Sequence, residues 1–400
     1  MRVRVYLLLC ALLSACAGPR LSDAPPASLF QDSAFVAPAE RYDASDIFTL
    51  SEPMRQFLWT DIAHQSHGKG AAEALVAALY RKGELSLEYD ASRTRNASEA
   101  FQARAGNCLS LVIMTAAFAK ELDLRVEYHS AKVEEVWSRN GDLLLGSGHV
   151  NVTLSYKRVV GEHGFNFKQY GRSSLLVDFL PADELRGLPE REISEDTVVA
   201  MYMNNRAVES LVRGQLDDAY GWARAAIRRS PEFANSYNTL GVIYLRHGDL
   251  AQASTVFRYE LEREPEDATV LSNLADTLDQ MGDQTQATAL RFRLARLDPD
   301  PPYYYFNLGT QAMQREDYES ARTLFAKEVA RADYNHEFHY WLGIAYFKLG
   351  QNERARRQLL LAIERTQTRG EHDLYAAKLA WLQANAQAHG RAPVQAAPSP

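Results

Sequence analysis

Residues 240–253, LGVIYLRHGDLAQA, contain a pattern that returns every 34 residues through the second half of the chain. Two helices of about a dozen residues fill such a unit with their turns, and small residues let the helices cross closely. Two positions of the pattern recur at this spacing. One is a turn position, occupied by Gly214, Gly248, Gly282, Glu316 and Gly350, and the other is an alanine position, occupied by Ala219, Ala253, Ala287, Ala321 and Ala355. The sequence therefore predicts five stacked helical hairpins.

These hairpins resemble tetratricopeptide repeats, which would fill residues 199–370 as an all-α solenoid. Residues 371–389 would then form the capping helix that such arrays need, and residues 390–400 a disordered tail. The resemblance implies that a protein or peptide binds along a concave face. Asn205, Asn273 and Asn307 share one position of the repeat and could hydrogen-bond to a peptide backbone. Solvated or interhelical asparagines are an equally good interpretation.

The composition is that of an ordinary globular protein, with 46% hydrophobic and 24% charged residues. A net charge of -7 gives no electrostatic case for binding nucleic acid. Histidine pairs three residues apart lack a third ligand in register, and no glycine-rich phosphate loop occurs. Neither a metal site nor a cofactor is expected.

Residues 46–198 mix two types of element and predict an α+β domain. The run CLSLVIMTAAFAKEL over residues 108–122 is apolar on every side, which is typical of a buried helix. Alternating strand-like segments follow at residues 124–137, 149–160 and 173–181. We therefore expect this helix to pack against an antiparallel sheet.

Three residues of this region carry candidate chemistry. Cys108 begins the buried helix after Asn107, a candidate cap, and a helix N-terminus stabilises a thiolate. Taken alone, a free cysteine is often only a small buried apolar residue. His149 opens a strand and could be a surface histidine. Asp178 interrupts an apolar run, where a buried carboxylate needs a partner such as an imidazole, an arginine or a backbone amide.

The segments ASEAFQARAGNCLSLVIMTAAFAKELDLRV, GHVNV and LLVDFLP resemble the transglutaminase-like superfamily, a branch of the papain-like cysteine fold. The resemblance implies that Cys108 is the nucleophile, His149 the base and Asp178 the orienting carboxylate. Gln102 would correspond to an oxyanion glutamine, although the backbone amide of Cys108 is an alternative donor.

The family often has aromatic residues after the histidine and before the aspartate motif, and this chain lacks both. The resemblance implies a cysteine peptidase, amidase or acyltransferase. The alternative is a catalytically silent fold that serves as a protein-interaction scaffold.

The N-terminus has the features of an export signal. Arg2 and Arg4 precede an apolar run that closes on Leu13-Ser14-Ala15-Cys16, which resembles the cleavage site of a bacterial lipoprotein. The resemblance implies removal of residues 1–15, acylation of Cys16 and a place on the periplasmic side of the outer membrane. Ordinary cleavage after Ala17 is the alternative. Residues 16–45 are rich in Pro, Ala and Ser and predict a flexible tether.

Overall fold

The computed structural model describes residues 24–36, 42–63, 70–80, 87–90, 93–140, 143–156, 174–179, 190–297, 299–300, 303–366 and 369–389. The predicted signal segment, Cys16 and the predicted C-terminal tail lie outside the described residues. No helix within those ranges combines the length and apolar character needed to cross a membrane.

The first half of the chain is an α+β region, as the sequence predicts. Its helices are α1 (Glu52–Phe57), α2 (Ala71–Tyr80), α3 (Ala97–Ala103) and α4 (Cys108–Glu121). A short parallel pair consists of β1 (Glu88–Tyr89) and β2 (Ala105–Gly106). An antiparallel sheet in the order β5-β4-β3-β6 consists of β3 (Leu124–Asn140), β4 (Leu143–Tyr156), β5 (Ser174–Val177) and β6 (Glu190–Ile193).

Helix α4 is the centre of this region. All its residues from Cys108 to Ala119 are buried, because the helix packs between the sheet and the other helices. Val150, Val152 and Leu154 alternate along β4 and bury their side chains in the same core. A buried helix on an antiparallel sheet is therefore confirmed, whereas the transglutaminase-like assignment stays a prediction.

The second half is a series of antiparallel helix pairs. They are α5 (Glu195–Val212) with α6 (Leu216–Arg229), α7 (Asn235–His247) with α8 (Leu250–Arg263), α9 (Ala268–Gln280) with α10 (Gln284–Leu297), α11 (Tyr304–Gln314) with α12 (Tyr318–Arg331), and α13 (His336–Lys348) with α14 (Asn352–Arg365). Helix α15 (Arg369–His389) follows and packs on α14.

Small residues occur where two helices of a pair come closest. A Cβ atom added to Gly241 would lie 2.3 Å from the ring of Phe257 in the same pair. The turn position between the helices has a positive φ in every pair, with +91° at Gly248 and +59° at Glu316. The 34-residue pattern thus reports helix crossings and left-handed turns.

The first repeat helix is not separate from the α+β region. Helix α5 contacts both α4 and β3, and the first three helix pairs share one hydrophobic core with the α+β region. The last two pairs have a second core around Tyr303 and Phe325. The sequence divides the chain at residues 198 and 199, whereas in the structure α5 begins at Glu195 with Ser194 as its cap.

An N-terminal strap, residues 24–36, packs against the first two repeats. Phe35 stacks on Tyr220 with ring centroids 4.0 Å apart, and Leu29 is buried. The Tyr244 hydroxyl donates to the carbonyl of Leu29 at 3.0 Å and accepts from the amide of Gln31 at 2.9 Å. The sequence predicts a flexible tether over residues 16–45, but the buried side chains of Leu29 and Phe35 fix the strap to the array.

Candidate cysteine site

Cys108 is the first residue of α4, and its backbone is held by the residues on either side. The Asn107 side chain caps the helix by accepting a hydrogen bond from the amide of Ser110 at 2.9 Å. A Cβ atom at Gly106 would lie 2.7 Å from the Cβ of Ser110, so this approach requires glycine. The Cys108 residue is 7% exposed. The predicted cap is therefore present, and the thiol lies just beneath the surface.

His149 and Asp178 meet because β4 and β5 are antiparallel neighbours. Val152 pairs with Val177, so the residue after the end of β5 lies beside the start of the buried part of β4. The Nε2 atom of His149 lies 2.8 Å and 2.9 Å from the two carboxylate oxygens of Asp178. Their side chains are 4% and 8% exposed. The imidazole is the partner that the buried carboxylate needs.

Asn151 is a member of this cluster that the sequence analysis did not single out. Its side-chain amide donates to the second oxygen of Asp178 at 3.1 Å, and the residue is fully buried. The alternation of β4 carries the signal, because Asn151 follows His149 by two residues and therefore lies on the same face. Asn151 and His149 together fix the orientation of the carboxylate.

The electrostatic environment favours a charged imidazole. Burial lowers the pKa of His149, but hydrogen bonds that the ring makes to Asp178 and Cys108, together with the charges of both partners, outweigh burial and raise the pKa to about 9. The Cys108 thiol is therefore within hydrogen-bonding reach of the ring. Since Nε2 faces Asp178, Nδ1 is the nitrogen left for the sulfur.

The other predicted site residues do not join this cluster. Gln102 lies on α3 with an exposed side chain. The side-chain amide of Asn205 donates to the hydroxyl of Thr94 in the α+β region at 3.1 Å. That of Asn273 donates to Asn238 on the preceding repeat at 2.8 Å, as expected for an interhelical asparagine. Asn307 is exposed on α11. In the described part of the chain, no group of three or more His, Cys, Asp or Glu side chains could hold a metal ion.

Comparisons with known proteins concern the repeats. Residues 238–302 and 306–371 match the family model of the tetratricopeptide repeat. Among curated proteins, no sequence matches the chain.

Among solved structures, the chain is similar to a thermophilic tetratricopeptide-repeat protein in Thermus thermophilus, with 16% identity, 46% of this chain and 99% of that chain covered, and a TM-score of 0.32. It is similar to pilF of Pseudomonas aeruginosa, with 18% identity, coverage of 48% and 88%, and a TM-score of 0.31. YrrB, described as a tetratricopeptide-repeat protein with an unusual peptide-binding site, has 20% identity, coverage of 45% and 92%, and a TM-score of 0.25.

The match to the family model coincides with the helix pairs from α7 to α14. Residues 238–302 and 306–371 are therefore tetratricopeptide repeats, and such repeats indicate a role in protein interaction.

Proposed function

We propose that the chain is a protein-interaction protein whose tetratricopeptide array binds a protein or peptide partner. The observation that carries this proposal is the repeat match over residues 238–302 and 306–371. Stacked helix pairs form an extended surface, and the first helix of the fourth pair carries the exposed residue Asn307.

Site-specific photo-crosslinking tests the binding role. A photoreactive amino acid at Asn307, on the first helix of the fourth repeat, should give a discrete protein adduct in cells. The matched control is Thr323, which is exposed on the second helix of the same repeat. After mass spectrometry identifies the adduct, the purified pair should bind. Equal crosslinking from both positions, or no binding by the purified pair, would contradict the proposal.

A second candidate function is cysteine-dependent acyl transfer by the α+β region. Its support is geometric: the His149 ring lies 2.8 Å from Asp178 and hydrogen-bonds with Cys108, Cys108 is buried, and the side chains of His149 and Asp178 are nearly so. This arrangement matches the roles of nucleophile, base and orienting group that cysteine acyl transfer requires.

In the corresponding reaction, the Cys108 sulfur attacks the carbonyl carbon of an amide while His149 holds the proton. The backbone amide of Cys108, at the positive end of α4, faces the developing oxyanion. The carbon–nitrogen bond breaks, and His149 gives its proton to the leaving amine. Water or another amine then attacks the thioester, passes a proton to His149 and releases the sulfur.

Alkylation of the native chain tests this second candidate. Iodoacetamide at pH 7, followed by peptide mass spectrometry, should modify Cys108 in the parent chain, and His149→Ala should slow the reaction at least tenfold. Cys108→Ser controls for labelling at other residues. If Cys108 is modified only after denaturation, at a rate unchanged by His149→Ala, the acyl-transfer function is wrong and binding is the one proposed function that remains. If the thiol reacts, comparing cellular peptides with and without Cys108→Ala would identify the substrate.

The location of the protein is part of the same proposal. The sequence around Cys16 supports a lipid anchor, with the array and the α+β region on the periplasmic side of the outer membrane. Cys16→Ala should move the protein from the membrane fraction to the soluble periplasmic fraction. A parent chain that is already soluble and carries no lipid by mass spectrometry would contradict this location.

A further inference from the structure

A buried threonine connects the first repeat to the helix that carries Cys108. Thr94 is 2% exposed and lies in the loop before α3. Its hydroxyl accepts one hydrogen bond from the side-chain amide of Asn107 at 3.0 Å and another from that of Asn205 at 3.1 Å. Its backbone amide donates to the carboxylate of Glu209 at 2.6 Å. Asn205 and Glu209 both belong to α5, the first repeat helix.

The Asn107 side chain is held at both of its ends. Its oxygen accepts from the amide of Ser110 at 2.9 Å and from the Ser110 hydroxyl at 2.8 Å. Its nitrogen donates to Thr94. Because Asn107 directly precedes Cys108, the direction of this side chain sets the direction in which the first turn of α4 begins.

The first repeat fixes Thr94 from the opposite side. Glu209 is itself held by Arg206, whose guanidinium donates to the other carboxylate oxygen at 2.9 Å. Both side chains are only 15% exposed, so this ion pair is largely shielded from solvent. The contacts run without interruption from Arg206 and Glu209 through Thr94 to Asn107.

We propose that Asn205 and Glu209 are positioning residues for Cys108 and act through Thr94 and Asn107. The inference rests on the second proposed function, since it assigns these residues to the cysteine site. The array is then a structural part of that site as well as a binding surface. A partner that moves α5 would alter the first turn of α4 and hence the reactivity of the thiol.

The test uses the full chain and two measurements. Hydrogen exchange of the Ser110 and Leu111 amides reports the first turn of α4, and the rate of Cys108 alkylation between pH 6 and 10 reports the thiol. Asn205→Ala should raise the exchange rate about fivefold, the factor expected for a weakened helix cap. It should also shift the pH profile of alkylation. Asn273→Ala is the matched control, because Asn273 has the same repeat position but bonds to Asn238.

Substitutions at Thr94 provide the rescue. Thr94→Ser keeps the hydroxyl and should behave like the parent, whereas Thr94→Val should reproduce Asn205→Ala. Unchanged exchange and an unchanged alkylation profile in both Asn205→Ala and Thr94→Val would overturn the proposal. A parent thiol that is inert in the native state would remove the cysteine function, and it would overturn the positioning role with it. If amide exchange becomes faster but the pH profile of alkylation of a reactive Cys108 does not change, the positioning role is equally overturned.

Discussion

The charge of His149 depends on Asp178, and this dependence can be measured directly. The pKa of His149 is raised from 6.5 to about 9, although burial lowers it, because Asp178 and Cys108 hold the protonated ring. This difference corresponds to about 3 kcal/mol in favour of the charged form. At pH 7.5 the ring should be more than about 90% protonated, compared with about 10% for an ordinary histidine.

The perturbation is Asp178→Asn, which removes the negative charge and keeps the shape. Burial is then opposed by Cys108 alone, so the pKa of His149 should fall from its value of about 9. The assay is nuclear magnetic resonance of isotope-labelled imidazoles from pH 5 to 10.5, with His149→Gln to assign the signal. Cys108→Ser should also lower the pKa, because the ring then loses the contribution of the sulfur.

The same pKa fixes how stability depends on pH. Since the pKa is raised on folding, the stabilisation is complete below about pH 6.5 and is lost as the pH rises through about 9. The His149→Gln chain should lack this loss in denaturant unfolding. A His149 pKa near 6.5 in the parent chain would refute this reasoning from the geometry of the pair. So would a raised pKa that Asp178→Asn leaves unchanged.

Three further predictions concern the array and the strap. Glu316 has a left-handed φ where the other repeats have glycine, so Glu316→Gly should raise the free energy of unfolding by about 1 kcal/mol, measured by denaturant titration. The side chain of Glu260 is fully buried, its two carboxylate oxygens accept no hydrogen bond from the described residues, and burial raises its pKa to about 7. Its charging therefore costs stability as the pH rises from about 4.5 to about 7, and Glu260→Leu should raise the melting temperature more at pH 8 than at pH 5. Glu328→Leu is the matched control, and its melting temperature should fall because the Glu328 carboxylate accepts hydrogen bonds from two backbone amides. A fall in Glu260→Leu as well would contradict the expected difference between the two glutamates. Phe35→Ala should cost about 3 kcal/mol and expose the strap to limited proteolysis, and an unchanged cleavage pattern would show that the packing contributes little.

The sequence predicts the features that local patterns encode. The repeat pairs follow from a fixed spacing of small and turn residues, each within one unit. The cap at Asn107 follows from neighbouring residues. These features need no knowledge of distant contacts. The pairing of His149 with Asp178 is instead implied by the family resemblance, because the cost of a buried carboxylate alone leaves an arginine or a backbone amide open as the partner.

The features that the sequence leaves unpredicted depend on distant contacts. Thr94 hydrogen-bonds to Asn205 and Glu209, which lie 111 and 115 positions later in the sequence. Nothing in the sequence next to Thr94 indicates these bonds. Asn205 shares its repeat position with Asn273 but lies against the α+β region, which the repeat pattern cannot indicate. The strap has only a few large apolar residues in a stretch rich in Pro and Ala, and they follow no helical or strand period.

The strap also constrains the order in which the chain can fold. Ser28 accepts a hydrogen bond from Gln252, which lies 224 positions later in the sequence. The α+β helices and early repeats form many contacts within shorter stretches, but the surface on which the strap docks is complete only after the second repeat has been synthesised. It should therefore be one of the last segments of the first core to reach its place. During synthesis and any passage through a translocation channel, Leu29 and Phe35 remain available to chaperones that bind exposed apolar segments.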